Sequence, residues 1–89
     1  MNNLVERSYK AIEKRGLISK NTQPEEFIDK MIEELEEIKK ARNNCDIQNY
    51  IEECIDLSTV CFMQVHHMGY NPVEEFEKVV IKNENRQHE

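Results

Sequence analysis

Two stretches of this chain carry acids at a spacing suited to metal chemistry. One reads Ile32-Glu33-Glu34-Leu35-Glu36-Glu37-Ile38 and the other Ile51-Glu52-Glu53-Cys54-Ile55-Asp56-Leu57. In a helix, residues three apart share one face, so each stretch offers a pair of carboxylates pointing the same way. Four convergent carboxylates repel one another and are tolerated when a divalent cation sits among them. An all-oxygen donor set is hard. It favours Mg²⁺, with Mn²⁺ as the substitute, over zinc or copper.

Helical phase selects among the acids. Phe27, Ile28, Met31, Leu35 and Ile38 form one apolar stripe, centred between Phe27 and Leu35. Glu34 lies on the edge of that stripe and Glu37 just outside it, while Glu33 and Glu36 point to solvent. In the second stretch, Glu53 and Asp56 share a stripe with Val60 and Met63, and Glu52 falls on the polar flank. An acid at the head of an apolar face is costly unless something compensates it. Glutamate-rich helix faces are usually solvated, and Glu36–Lys40 reads as an ordinary i,i+4 pair. The second acid pair, set inside an apolar helix, favours a site over a solvated face. The expected metal and catalytic residues are therefore Glu34, Glu37, Glu53 and Asp56.

Four predicted helices must position these acids. The first runs from Leu4 to Arg15, with Leu4, Val5, Tyr9 and Ile12 at helical spacing and Gly16 as terminator. The second begins at Pro24 behind a capping box read at Thr22-Gln23-Pro24-Glu25, and ends near Arg42. The third is capped by Asp46 and runs to Met68, ahead of Gly69. Its core face is expected to hold Ile47, Ile51, Cys54, Ile55, Phe62 and Val65, with Val60 and Met63 making a second apolar face. Asn71-Pro72-Val73-Glu74 opens the fourth, whose apolar side is Val73, Phe76, Val79 and Val80. The expectation is an all-α, four-helix bundle. It forms one domain over residues 1–89, with a core over about 22–86 and a frayed tail at 87–89.

Composition agrees and excludes other classes. Of 89 residues, 34% are charged, 38% are hydrophobic, and Gly and Pro number two each, which is a helical balance. A chain this short buries only about 60–65% of the surface it exposes when unfolded, so assembly into an oligomer is the expected remedy. The net charge of −6 disfavours a nucleic-acid polymer, whose backbone calls for a basic stripe. No run approaches the roughly 18 apolar residues that span a membrane, and no basic segment followed by an apolar block opens the chain. Cys45, Cys54 and Cys61 lack CxxC spacing, so they read as free thiols, the latter two as small buried hydrophobes in a reducing, cytoplasmic setting. His66 and His67 lie too far along the helix to share a metal with Asp56, and read as partners of the helix dipole. There is no glycine-rich phosphate loop and no Ser/His/Asp or Cys/His arrangement.

Glu34-x-x-Glu37, fifteen residues, then Glu53-x-x-Asp56 resembles the paired acid signature of the MazG-like all-α nucleoside triphosphate pyrophosphohydrolases. The likeness covers Phe27 to Arg86. The tail Lys82-Asn83-x-x-Arg86, with Lys78 one turn earlier, is similar to the family's phosphate-binding cluster, although Val79 stands where the family's lysine is common. The resemblance implies an oligomeric helical bundle, a homodimer or homotetramer, with Mg²⁺ on the four acids. It implies substrate phosphates on Lys78, Lys82, Asn83 and Arg86, and cleavage of a nucleoside triphosphate between its α- and β-phosphates. Metal would neutralise phosphate charge and lower the pKa of a bound water, and an acid not fully engaged with metal would take the proton. Two other readings compete: a phosphoribosyl-ATP pyrophosphohydrolase, with related acidic motifs, and a non-catalytic helical module that self-associates.

Overall fold

The computed structural model describes residues 2–86. Among them it contains four helices and no strand: α1 (Asn2–Lys14), α2 (Pro24–Asn43), α3 (Ile47–His67) and α4 (Pro72–Glu84). The all-α, four-helix expectation holds. The tail expected at 87–89 lies outside the described residues.

The first three helices end in the same way, with a left-handed residue past the last turn and two backbone N–H groups folded back onto carbonyls. After α1, Gly16 (φ 77) donates to the Glu13 carbonyl at 2.9 Å and Leu17 to Ile12 at 3.2 Å. After α3, Gly69 (φ 90) donates to His66 at 3.0 Å and Tyr70 to Val65 at 3.2 Å. After α2 the left-handed position is held by Cys45 (φ 56), which donates to Arg42 at 3.1 Å, and Asp46 closes onto Ala41 at 3.0 Å. A side chain in this conformation is strained where glycine is not.

The N-termini follow the side-chain chemistry. Asp46 caps α3 by accepting from the Asn49 N–H at 3.1 Å, and Asn71 caps α4 by accepting from Val73 at 3.0 Å and Glu74 at 3.2 Å. The capping box of α2 sits one residue later than the sequence reading placed it. Gln23 is the N-cap, and its N–H donates to Glu26 Oε2 at 2.8 Å. Pro24 occupies the first helical position, which leaves its predecessor as the cap. Thr22 instead accepts from the Ser19 N–H at 2.9 Å, inside the α1–α2 connection.

A three-residue turn folds α2 and α3 into an antiparallel hairpin, the main helix pair of the molecule. The core is small: Val5 and Tyr9 from α1, Phe27 from α2, and Val60 and Met63 from α3 are buried. Ile12, Ile18, Met31 and Phe62 pack around them. The expected order of the two α3 faces is overturned only in part: Phe62 packs on the core and Val65 is half-buried, as expected. Val60 and Met63 face the core, whereas Ile47, Ile51 and Ile55 are 76%, 51% and 60% exposed. The reason is α1, which lays its Val5/Tyr9 stripe on the Val60 and Met63 side. Periodicity alone underrated this short helix. Cys54 and Cys61 are half-buried and Cys45 is exposed; all three are free thiols, as expected.

A polar clasp fixes α1 in place. Tyr9 Oη and His67 Nδ1 are 2.7 Å apart, and His67 Nε2 lies 2.8 Å from the Thr22 carbonyl. A carbonyl only accepts, so Nε2 carries the proton, and in the neutral imidazole Tyr9 donates to Nδ1. His66 adds an edge-on contact to the Tyr9 ring at 4.9 Å between centroids. The two histidines therefore hold α1 and the α1–α2 connection to the end of α3.

Candidate metal and phosphate site

The turn between α2 and α3 sets the height of the acids. Asp46 and Ala41 are joined by the closing hydrogen bond. Glu34 lies seven residues before Ala41, and Glu53 seven residues after Asp46. Seven residues make about two helical turns, so the two side chains emerge level on facing helices. Asp56 follows Glu53 by one further turn. One carboxylate oxygen from each of Glu34, Glu53 and Asp56 lies within 4.8 Å of the other two. Glu34 is the buried member, 8% exposed, with Glu53 half-buried and Asp56 exposed.

Electrostatics show the strain of this grouping. Hydrogen bonding to Glu34, loss of solvation and the charges of Glu34, Asp56 and Glu37 push the Glu53 carboxyl up to about 7. Partial loss of solvation, followed by the Glu34 and Glu52 charges, raises Asp56 against the opposing pull of Lys30. Lys30 supplies positive charge at the site. Its Nζ lies 3.1 Å from Glu34 Oε1 and 3.2 Å from Glu33 Oε1. The hydrogen bond to Glu34 is the main reason its pKa is raised. One ammonium against this many carboxylates leaves negative charge uncompensated.

A hard divalent cation fits these donors. Ligand oxygens placed about 2.1 Å from Mg²⁺ stand roughly 3–4 Å apart, and the three carboxylate oxygens lie within 4.8 Å of one another. Glu37, the fourth expected ligand, is half-buried and outside this group of three; its Oε1 takes Lys40 at 3.4 Å. Glu36 pairs with Lys39 at 3.3 Å, not with Lys40 as the i,i+4 reading had it. Glu33 and Glu36 are exposed, as helical phase indicated.

A cavity of about 760 Å³ opens beside the acids, between α1, the α1–α2 connection and the α2–α3 pair. Glu34, Asp56 and Lys30 line it. None of the expected phosphate-binding residues does. Lys78 pairs with Glu75 at 2.8 Å on α4, Lys82 and Asn83 occupy the last turn of that helix, and Arg86 follows it. Within one chain, therefore, three of the four acids come together and the α4 cluster stays off their cavity wall. Lys30 is the site residue that the sequence reading missed. Its i,i+3 and i,i+4 spacing to Glu33 and Glu34 was the available signal.

The sequence profile of the phosphoribosyl-ATP pyrophosphohydrolases matches residues 7–83. The chain belongs to that family. The phosphoribosyl-ATP pyrophosphohydrolase family lies within the MazG-like all-α pyrophosphohydrolases, so the resemblance holds at the level of the superfamily. The match begins earlier than the resemblance did, taking in most of α1, and ends before Arg86. No curated protein and no solved structure gave a significant match. Among the described residues, no helix is long and apolar enough to cross a membrane.

Proposed function

We propose that the protein is a Mg²⁺-dependent pyrophosphohydrolase that cleaves a nucleoside triphosphate between the α- and β-phosphates, releasing monophosphate and pyrophosphate. The observation that supports this reading best is the convergence of Glu34, Glu53 and Asp56 from two helices, with Glu53 pushed up to about 7 by its neighbours. Glu34, Glu53 and Asp56 would hold the metal, with Glu37 at the margin. When bound, Mg²⁺ supplies charge neutralisation for the phosphates and a more acidic water. The carboxylates fix the position of that charge between two rigid helices. Glu34 is buried and braced by Lys30. Lys30 adds a positive charge on the wall where a phosphate would lie. The test is a panel of nucleoside triphosphates with Mg²⁺, reading monophosphate and pyrophosphate. Orthophosphate as the product, or no turnover across the panel, would sink the proposal.

The family match favours a second reading, in which the substrate is phosphoribosyl-ATP. The bond broken and the product pyrophosphate are the same, so this substrate belongs in the same panel. Turnover of it alone would select this reading.

Assembly is part of the proposal. Ile28, Ile32 and Leu35 on α2 and Ile47, Ile51 and Ile55 on α3 form two exposed apolar stripes. Soluble monomers rarely leave such surface uncovered. A two-fold pairing of chains, or a dimer of dimers, would cover them, and would allow Lys82, Asn83 or Arg86 of a second copy to approach the acids.

A further inference from the structure

We infer that Lys30 stands in for the metal: it holds the Glu34 carboxylate in the metal-free chain and passes to Glu33 when a cation takes Glu34. The inference rests on the metal-site reading and adds how that site is kept ready. The three side chains are unequally placed. That of Glu34 is 10% exposed, while those of Lys30 and Glu33 are 48% and 62% exposed. A charge taken out of water is costly unless it is paired, so Glu34 needs a cation with or without metal. The ammonium of Lys30, half in solvent at the end of a flexible stem, has no such need. The carboxylate is therefore the fixed member of the pair and the ammonium the exchangeable one.

The place to which Lys30 moves is already in contact with it. Its Nζ lies 3.1 Å from Glu34 Oε1 and 3.2 Å from Glu33 Oε1, so it straddles both carboxylates. Residues three and four positions ahead on a helix lie within reach of one side chain, and a small rotation favours one over the other. Lys30 also shares the cavity wall with Glu34 and Asp56, and its charge reaches Asp56. A dication held by Glu34, Glu53 and Asp56 would place a like charge close to that ammonium, and the two repel. Glu33 gives Lys30 a second acid to hold once Glu34 is taken. Lys30 is thus a positioning residue that acts through Glu34, and Glu33 acts through Lys30.

Titration calorimetry with Mg²⁺, joined to melting curves in chelator, tests the exchange. Lys30→Met removes the competing charge and should tighten Mg²⁺ binding about fivefold or more. The same change should lower the metal-free melting temperature, because Glu34 is left unpaired. Lys30→Arg keeps the charge and should keep wild-type values of both. Glu33→Gln should weaken Mg²⁺ binding severalfold, a difference that saturating Mg²⁺ removes. Made in the Lys30→Met background, Glu33→Gln should have no effect on binding, because Lys30 is no longer there to be held. Weaker or unchanged binding in Lys30→Met, or an equal effect of Glu33→Gln in both backgrounds, would overturn the inference. If the wild type still binds Mg²⁺ and Glu53→Gln does not, that failure leaves the metal site standing. A wild type that binds neither Mg²⁺ nor Mn²⁺ removes the site and the inference together. The expected shifts in a protein that turns over no triphosphate would uphold the exchange and remove the hydrolase reading.

Discussion

Tyr9 and His67, fifty-eight positions apart in the chain, meet in a 2.7 Å hydrogen bond that joins the first helix to the end of the third. Tyr9 is among the few buried residues of a small core, and burial, followed by the Glu13 charge, raises its pKa. Tyr9→Phe keeps the ring and removes the donor, leaving His67 Nδ1 without its partner. The expected loss is about 1 kcal/mol, seen as a melting temperature lower by about 4–8 °C. An unchanged melting temperature would mean that water replaces the phenol at no cost.

The acids should separate into two groups. Glu34→Ala, Glu53→Ala and Asp56→Ala are each expected to lower kcat/KM by about a hundredfold or more, since each removes charge stabilisation worth several kcal/mol. Glu33→Ala and Glu36→Ala should change it little, because both side chains are exposed. Glu37→Ala is the informative variant. A loss as deep as that of Glu53→Ala would mean that four carboxylates, not three, serve the bound metal.

Metal binding should appear as stability. A ligand that binds only the folded state contributes RT ln(1 + [L]/Kd), about 2.7 kcal/mol at a hundredfold excess over Kd. Mg²⁺ is therefore expected to raise the melting temperature of the wild type by roughly 10 °C and to leave Glu53→Gln unmoved. Equal shifts in both would report a general salt effect.

In chelator, the pH dependence should take its sign from Glu53. Its folded value of about 7 lies above the ordinary 4.5. Between these values the folded chain keeps a proton that the unfolded chain has released. The contribution of this group is fully present below about pH 4.5 and is lost as pH rises through 7. Melting curves of the metal-free wild type should fall in temperature from pH 5 to pH 8 more steeply than those of Glu53→Gln. Parallel curves would remove Glu53 as the cause.

Assembly can be tested on the face the structure leaves open. Ile51→Lys with Ile55→Lys should turn an oligomer into a monomer by sedimentation equilibrium, with activity lost alongside. Val60→Lys would not serve, because Val60 is 6% exposed in the core and its replacement would unfold the chain. If a second copy brings Lys82 to the acids, mixing inactive Glu53→Gln subunits with inactive Lys82→Ala subunits should restore part of the activity. A wild type that is monomeric at tens of micromolar and fully active would refute the assembly.

Much of the hairpin was legible in the sequence because its signals are local. Asp46, Asn71, Gly16 and Gly69 act within a turn of their own position, and the inward phase of Glu34 against Glu33 needs only the helical repeat. What escaped was non-local. Nothing in the period of α3 says which apolar face meets α1. His67 read as a dipole partner because its true partners, Tyr9 and the Thr22 carbonyl, are distant in the chain. The α4 cluster was placed by resemblance, and a single chain does not carry it onto the wall shared by Glu34 and Asp56.

The hydrogen bond from Asp46 to Ala41 fixes a zero point from which both helices are counted. Phe27 and Val60 each lie fourteen residues from it, as Glu34 and Glu53 each lie seven, so acid pair and core pair share one ruler. The chain should therefore respond unequally to inserted and deleted residues. One residue added within α3 between Asp46 and Glu53 turns every later side chain by about 100°, carrying Asp56, Val60 and Met63 off the shared face together. One residue added between α1 and α2 disturbs none of that count. Natural length variation compatible with the site should thus gather at residues 15–23, and the segment from Glu34 to Asp56 should tolerate substitution far better than any change of length.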